Sequence, residues 1–433
     1  MQERVEAKTR GRGGRRERLP PVVWLLGLAS LLNDVSSEAI YPLLPVFLLE
    51  LGGGLPFLGL VEGGADALAA VVKVVAGRIS DRGPRRLLVI GGYGLPAVAR
   101  AAIAGAVRPW HVLAARLLDR LGKGIRSGPR DALLADAAGP SARGRAFGIQ
   151  RSMDHLGAAL GPLAAAGLLG LGVPLRAVFL AAAAVGLAAP AVLLWRLRDP
   201  RPGKAAAAAG AALEGAAASS ACRAGAPARR GDGPDGIEAA ASLPPRFWRY
   251  LALAGLFALG NSSDAFLLLK AKEVGFSAAA LPLLWAGHHL VKTLTGAPGG
   301  ALSDRLPRGW VVASGWLAFA LAYAGFALAR TELQVALLFG FYALYHGLTE
   351  AAERAMVADV ASAGTRGRAF GWYHGAIGFL ALPAGLLTGL LWEWRGPAVA
   401  FLASAGLAAA AGLGLAASGA LRSPPGAGAV RHG

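Results

Sequence analysis

The sequence predicts an all-α membrane protein in which twelve transmembrane helices form two pseudo-symmetric six-helix bundles. First, only 16% of the 433 residues are charged and 55% are hydrophobic, with a mean hydropathy of +0.49, too apolar for a soluble protein. Second, twelve apolar stretches are long enough to cross a bilayer. Third, motifs of the first half recur in the second. These observations exclude a large soluble enzyme, a disordered chain and, with Cys222 as the only cysteine, a disulfide scaffold.

The predicted spans fall into two groups of six. In chain order they are 22–49, 55–79, 87–107, 110–135, 146–171, 174–195, 247–269, 275–301, 310–329, 333–358, 369–392 and 397–420. Spans 4 and 10 carry so many charges that hydropathy alone would miss them. The predicted organisation is a basic N-terminal tail (1–20), an N-terminal six-helix repeat (21–196), a disordered linker rich in Ala, Gly and Ser (197–246), a C-terminal six-helix repeat (247–420) and a C-terminal tail (421–433).

The charge distribution predicts the orientation. Lys and Arg number 44 against 26 Asp and Glu, a net charge of +18. In a membrane protein such an excess marks cytoplasmic loops rather than a nucleic-acid partner. The basic residues between spans concentrate on the side that holds both tails and the linker. We therefore expect a multi-pass protein of the inner cell membrane with both termini in the cytoplasm, whose first apolar run is too long for a cleaved signal peptide.

The two halves of the chain repeat one another. The segment Gly77–Arg86 recurs with related residues at Gly300–Gly309, and Arg143–Gly148 recurs letter for letter at Arg366–Gly371. Both pairs are offset by 223 residues, as are Asp136 and Asp359. A further match, of Ser36-Ser37-Glu38 with Ser262-Ser263-Asp264, is offset by 226. Two parallel six-helix repeats are an architecture of membrane transporters.

The chain resembles the major facilitator superfamily (MFS), in particular its bacterial proton-coupled drug and solute efflux antiporters. The family's signature loop between helices 2 and 3 matches at Gly77, Asp81, Arg82, Arg85 and Arg86, with Pro84 in place of a glycine. The resemblance implies a monomeric transporter of a small-molecule substrate and protons, embedded in the lipid bilayer and without a cofactor. In the fifth span, Gly157, Gly161 and Pro162 resemble the signature of family antiporters, which favours export.

The fourth span carries a stripe of charged side chains. At about 100° per residue the seven charges share an arc of about 140°: Arg116, Asp119, Arg120, Lys123, Arg126, Arg130 and Asp131. A charge at the centre of a bilayer costs at least about 2.5–3.5 kcal/mol, so the stripe must face a watery cavity or paired acids. Arg116 aligns with the arginine that the family associates with proton coupling, although Asp119 and Arg120 replace the usual Gln and Gly.

Carboxylates in other spans are candidates for proton and substrate binding. Asp34 and Glu38 lie on one face of the first helix, where an acid is functional by default. Arg116 would favour their ionised form. The predicted proton-coupling residues are Asp34, Glu38, Arg116 and Asp119. The predicted substrate cavity comprises Asn33, Tyr41, Glu62, Asp66, Arg120, Lys123, Asp154, Asp264, His346 and Glu350.

The cytoplasmic helix ends are predicted to form a conformational latch. Asp81 and Asp304 occupy equivalent places of the two repeats, and each could pair with basic groups on a neighbouring helix in one state and release them in the other. We expect Arg126, Arg130 and Asp131 to face Asp81. The remaining predicted members are Gly77, Arg82, Arg85, Arg305, Glu353 and Arg354.

The sequence thus predicts a secondary transporter that exports a small organic solute or drug in exchange for protons by alternating access. One alternative is an organic or phosphorylated anion transporter, with Arg116, Arg120 and Lys123 binding the anion. Export of a divalent metal through His346 and Glu350, and a sensor that binds without transporting, are further alternatives. No metal site is predicted for the protein itself. An enzyme is not expected, because no nucleophile–base pair or nucleotide-binding loop is found.

Overall fold

The computed structural model describes residues 19–80, 85–197, 243–360 and 366–418, and these residues contain helices and no β-strand. The helices are α1 (Pro21–Ile40), α2 (Leu44–Glu50), α3 (Leu55–Ser80), α4 (Arg85–Ala104), α5 (Pro109–Gly170), α6 (Leu175–Arg196), α7 (Pro245–Gly260), α8 (Asp264–Glu273), α9 (Ala280–Arg305), α10 (Arg308–Leu328), α11 (Glu332–Val360), α12 (Arg366–Arg395) and α13 (Pro397–Ala417). The predicted tails lie almost wholly outside these ranges. The predicted linker also lies outside them, except for its first residue, Leu197, and its last four residues, where α7 begins.

The first and seventh spans are each built from two helical segments. In the first, a 3₁₀ turn over Tyr41–Leu43 joins α1 to α2, because prolines 42 and 45 cannot continue the α-helical hydrogen bonds. In the seventh, α7 ends at Gly260, and the Ser263 hydroxyl accepts the Ala265 N–H at 3.3 Å to begin α8. The sequence predicted one continuous helix over 247–269. The break went unpredicted because Asn-Ser-Ser is also tolerated within a helix.

Helix α5 supplies two spans, the fourth and the fifth. The side chains of Arg130 and Gln150 both hydrogen bond to Ser30 Oγ of α1, at 3.4 and 3.3 Å. Twenty residues of straight helix would separate them by about 30 Å. Helix α5 therefore folds back between these two residues. With the two-part first and seventh spans, the helices make up twelve spans, which confirms the predicted all-α fold.

Within the described residues, seven helical stretches are long and apolar enough to cross a membrane by length and composition alone. Spans 4 and 10 are not among them, as predicted from their charges. The other spans missed in this way are the interrupted first one and the polar fifth and eighth. Their place in the bundle follows instead from packing and from the repeat.

The two halves of the molecule meet closely where α3 packs against α12. A Cβ added at Gly59 would overlap the backbone carbonyl of Gly385, and one at Gly63 would overlap that of Ala381. Glycine allows this approach because nothing stands between the two backbones. Helices α5 and α9 form a second contact between the halves. A polar cavity lies between these contacts.

Candidate substrate cavity and its ion network

A cavity of about 230 Å³ opens between the two halves, near the middle of the bundle. Residues of both repeats line it: Tyr41, Glu62, Gly63, Asp66, Ala258, Asn261, Ser262, Ser263, Asp264, Tyr342, His346, Ile377 and Ala381. Five of the residues predicted to line a substrate cavity are among them, namely Tyr41, Glu62, Asp66, Asp264 and His346. The cavity therefore has the position expected of a substrate site shared by two repeats.

The broken seventh span forms one wall of this cavity. Asn261, Ser262 and Ser263 of the break line it together with Asp264, the first residue of α8. Tyr342 of α11 donates its hydroxyl to Asp264 Oδ1 at 2.6 Å. Sequence reasoning did not assign Asn261, Ser262 and Tyr342 to the cavity. The match of Ser262-Ser263 to Ser36-Ser37 was a signal in the sequence that could have indicated the wall formed by the seventh span.

A buried ion network lies beside the cavity in the N-terminal half. Arg116 makes two contacts with the Glu62 carboxylate, at 3.0 and 2.8 Å, and approaches Asp119 at 3.9 Å. Arg120 pairs with Asp66 at 3.2 Å and with Asp119 at 3.5 Å. Arg116 thus pairs with Glu62 rather than with Asp34 or Glu38, the carboxylates whose ionised form it was predicted to favour. The arginines of the fourth span face α3, the second span, where Glu62 and Asp66 lie one turn apart and pair with Arg116 and Arg120.

Arg100 of α4 completes this ion network, and sequence reasoning missed it. Its guanidinium pairs with Asp119 at 2.9 Å and donates to the backbone oxygen and Oδ1 of Asn33, at 3.1 and 3.2 Å. Only about 5% of its side chain is exposed. A lone arginine inside an apolar span was the available signal, since such a charge requires a buried partner. The ion network therefore comprises Glu62, Asp66, Arg100, Arg116, Asp119 and Arg120.

Asp34 and Glu38 of α1 stand apart from this network. Asp34 accepts a hydrogen bond from Asn33 Nδ2 at 2.8 Å and makes no ion pair within the described part of the chain. Glu38 accepts one from Trp285 Nε1 of α9 at 2.9 Å, and His289 Nε2 lies 3.7 Å away. Glu38 therefore joins the N-terminal half to the C-terminal half. The four residues predicted to couple protons form two groups, Asp34 and Glu38 on α1, and Arg116 and Asp119 in the ion network.

Five other predicted cavity residues do not line the cavity. Asn33 is turned toward Arg100, Arg120 reaches the cavity only through Asp66, and Asp154 accepts from Gln150 Nε2 at 2.7 Å. Lys123 is exposed and has no ion pair among the described residues. Glu350, one helical turn after His346, contacts Arg151, Lys292 and Arg354 at 2.6, 3.7 and 3.0 Å. The Arg151–Glu350 pair is a second polar link between the halves.

The predicted latch is described only in part, because Asp81, Arg82 and the side chain of Asp304 lie outside the described residues. Arg126 donates to the Gly92 carbonyl at 3.2 Å, with Cζ 4.4 Å from the centre of the Tyr93 ring. Arg130 pairs with its neighbour Asp131 at 2.9 Å.

In the second repeat the corresponding charged residues separate. Glu353 accepts from Trp316 Nε1 and the Tyr373 hydroxyl at 2.7 and 2.8 Å, whereas Arg354 turns to Glu350. Arg305 is exposed at the end of α9.

The small-residue motif of the fifth span brings α5 against α1. A Cβ at Gly157 would lie 2.6 Å from the Leu31 carbonyl oxygen and 3.0 Å from Asp34 Cβ, and one at Gly161 would overlap the Val35 carbonyl. Pro162, next in the motif, is buried. The motif thus fixes the backbone that carries Asp34.

Two six-helix repeats around a polar cavity define a membrane transporter, not an enzyme. The sequence model of the Major Facilitator Superfamily matches residues 26–288 and 251–432. The chain belongs to this family. An uncharacterized MFS-type transporter of Methanocaldococcus jannaschii is 30% identical over 400 residues, which are 90% of this chain and 93% of the relative.

Two further likenesses are weaker. The multidrug resistance protein MdtH of Edwardsiella ictaluri is 29% identical over 147 residues, 34% of this chain and 37% of that protein. A crystal structure of the nucleoside transporter NupG has a TM-score of 0.73 at 15% identity, covering 92% of this chain and 99% of the other. The second likeness concerns the fold alone.

Proposed function

We propose that this transporter exports a small organic solute in exchange for protons by alternating access. The observation that carries the proposal is the position of Glu38, a carboxylate of the N-terminal half that accepts a hydrogen bond from Trp285 of the C-terminal half and lies 3.7 Å from His289. An ionised carboxylate accepts a stronger hydrogen bond than a neutral one. A proton on Glu38 would weaken the contact between the halves and allow them to part.

Asp34 is the second candidate for a proton carrier. It lies one turn before Glu38 on α1, against the small-residue motif of α5, and it has no cationic partner among the described residues. A carboxylate that is not fixed by a guanidinium can gain and lose a proton without breaking a buried ion pair. Asp119, by contrast, contacts three arginines, and we assign it a structural role in the ion network.

The alternative of an anion substrate has less support from the geometry. That alternative requires Arg116, Arg120 and Lys123 to bind the anion with side chains that are not already paired. Arg116 and Arg120 are each paired with carboxylates, and Lys123 does not line the cavity. A divalent metal substrate is supported no better, since the described residues contain no group of three or more metal-ligating side chains suitably placed.

Reconstitution in liposomes with an imposed pH gradient tests the proposal. Purified protein is screened against drugs, sugars and organic anions, and hits are followed by solute flux. Glu38→Gln and Asp34→Asn should retain exchange of solute across the membrane, and one of them should lose flux driven by the gradient. Lys123→Ala is the matched control and should retain both. Loss of solute binding in Lys123→Ala with normal pH-driven flux in both carboxylate variants would instead favour the anion alternative.

A further inference from the structure

The charged residues that line the cavity are all acidic. Glu62, Asp66 and Asp264 contribute carboxylates, and no lysine or arginine is found among the described lining residues. Two of the three carboxylates are already compensated, Glu62 by Arg116 and Asp66 by Arg120. Asp264 makes no ion pair within the described part of the chain. It is therefore the cavity carboxylate whose charge is available to a ligand.

The surroundings hold the Asp264 carboxylate in place. Tyr342 donates its hydroxyl to Oδ1 at 2.6 Å, and stacking on His288, with ring centroids 5.2 Å apart, fixes the tyrosine ring. No hydrogen bond to Oδ2 occurs among the described residues. A carboxylate oriented in this way by one oxygen can accept hydrogen bonds from a ligand with the other.

The break in the seventh span adds acceptors beside Asp264. Helix α7 ends at Gly260, and Ala258 of its last turn lines the cavity together with Asn261. A helix C-terminus carries a partial negative charge, and the Ala258 carbonyl, which accepts the Asn261 N–H at 3.2 Å, keeps a second lone pair. The hydroxyls of Ser263 and Tyr41, one from each half, lie 3.4 Å apart and also line the cavity. Such a lining suits a group with several N–H donors and one positive charge.

We infer that Asp264 anchors the ammonium group of a protonated amine, so that the substrates of this transporter are small organic cations. The inference rests on the proposed function, because it names the solute class for the same cavity. A volume of about 230 Å³ exceeds what a bare metal cation needs. It is below the roughly 300–1,000 Å³ of pockets for drug-sized ligands. The ligand is therefore a compact amine.

The test compares three probes of similar size on protein in lipid nanodiscs: benzylamine, which is cationic at pH 7, neutral benzyl alcohol and anionic benzoate. Binding is measured by isothermal titration calorimetry. Wild-type protein should bind benzylamine at least about tenfold more tightly than benzyl alcohol, as expected for one charge-assisted hydrogen bond. Benzoate should bind more weakly still. Equal affinity for the amine and the alcohol overturns the inference, as does displacement of benzylamine by benzoate.

Variants locate the site. Asp264→Asn should lose the preference for benzylamine, while Glu273→Gln, at the far end of the same helix, should keep it. Retention of the preference in a folded Asp264→Asn protein overturns the inference. If that variant does not fold, Asp264→Glu decides, because moving the carboxylate by one methylene should change the affinity for benzylamine and leave that for benzyl alcohol unchanged. Unchanged affinity for both probes then counts against the inference.

Transport in liposomes separates this inference from the proposed function. Suppose that a pH gradient drives a neutral or anionic solute, but the protein binds benzylamine no more tightly than benzyl alcohol. The cation assignment then fails and the proposed function stands. If benzylamine binds through Asp264 but a pH gradient moves no cation, the proposed coupling fails and the assignment of the anchor stands.

Discussion

Arg85 Nη1 lies 2.7 Å from Asp136 Oδ2, and 223 residues further along the chain Arg308 Nη1 lies 2.5 Å from Asp359 Oδ2. Each pair joins the first residue of the third span of its repeat to the end of the fourth span. The repeat in the sequence is therefore also a repeat of specific contacts. The family's loop motif supplies the arginine in both halves, and an aspartate at the fourth span supplies its partner.

These two exposed ion pairs should contribute little to stability. Between 30% and 56% of each side chain is exposed, and exposed pairs are typically worth about 0–1 kcal/mol. A double-mutant cycle with Arg85→Ala and Asp136→Ala, followed by thermal unfolding in detergent, should give a coupling energy below about 1 kcal/mol. The equivalent cycle at Arg308 and Asp359 should agree with it. A coupling of several kcal/mol in either repeat would contradict this expectation.

The buried pair of Arg100 and Asp119 should behave differently. Removing one partner of a buried ion pair costs about 3–5 kcal/mol because the other charge is left uncompensated. We expect Arg100→Met to lower the free energy of unfolding by an amount near this range, since Asp119 then keeps only its longer contacts with Arg116 and Arg120. Arg100→Lys retains the charge and should lose less. If both variants unfold like the wild type, the ion network is not structural.

The glycine contact between α3 and α12 gives a third prediction. Gly385→Ala should shift the protein away from the conformation described here, because the new methyl group would meet the Gly59 backbone at 2.5 Å. Gly91→Ala is the matched control, since nothing lies within 4 Å of the added atom. Spin labels on α3 and α12 would report the separation of these helices. An unchanged distance distribution in Gly385→Ala would argue against tight packing at this contact.

The orientation in the membrane can be tested with the natural cysteine. Cys222 lies outside the described residues, in the segment predicted to be a cytoplasmic linker. A thiol reagent that does not cross membranes should leave it unlabelled in intact cells and label it after permeabilisation. A single cysteine introduced at Arg108, before α5, provides the control in a Cys222→Ser background and should label in intact cells. Labelling of Cys222 in sealed cells would reverse the predicted topology.

The fold was largely predictable because bilayer thickness sets the span length and the repeat recovers the charged spans. The 223-residue offset places Arg100 opposite Tyr323 and Asp119 opposite Tyr342. It does not predict that an ion pair in one half is replaced by tyrosine rings 6.0 Å apart in the other. Arg100 was missed because its counterpart in the second repeat, Tyr323, carries no charge, so the repeat did not mark this position as part of an ion pair.

Pairing within the site was less predictable than the identity of its residues. Helical periodicity places Arg116 on an inward face, yet Glu62, Asp34 and Glu38 are all acids on neighbouring helices. Which of them it meets depends on the rotation and depth of each helix, which small-residue contacts such as that of Gly157 with Leu31 determine. The rotation and depth of each helix cannot be derived from a single sequence.

The ion network contains three arginines and three carboxylates, all on spans 2 to 4 of one half, so its formal charge is zero. When that half tilts against the other, these six charges move together. Displacing one elementary charge through a membrane potential of 100 mV requires about 2.3 kcal/mol of electrical work. A neutral set that moves as a unit requires none to first order. The voltage dependence contributed by this part of the protein should therefore vanish, which leaves the cargo and, under the proposed function, the exchanged protons to respond to the electric field.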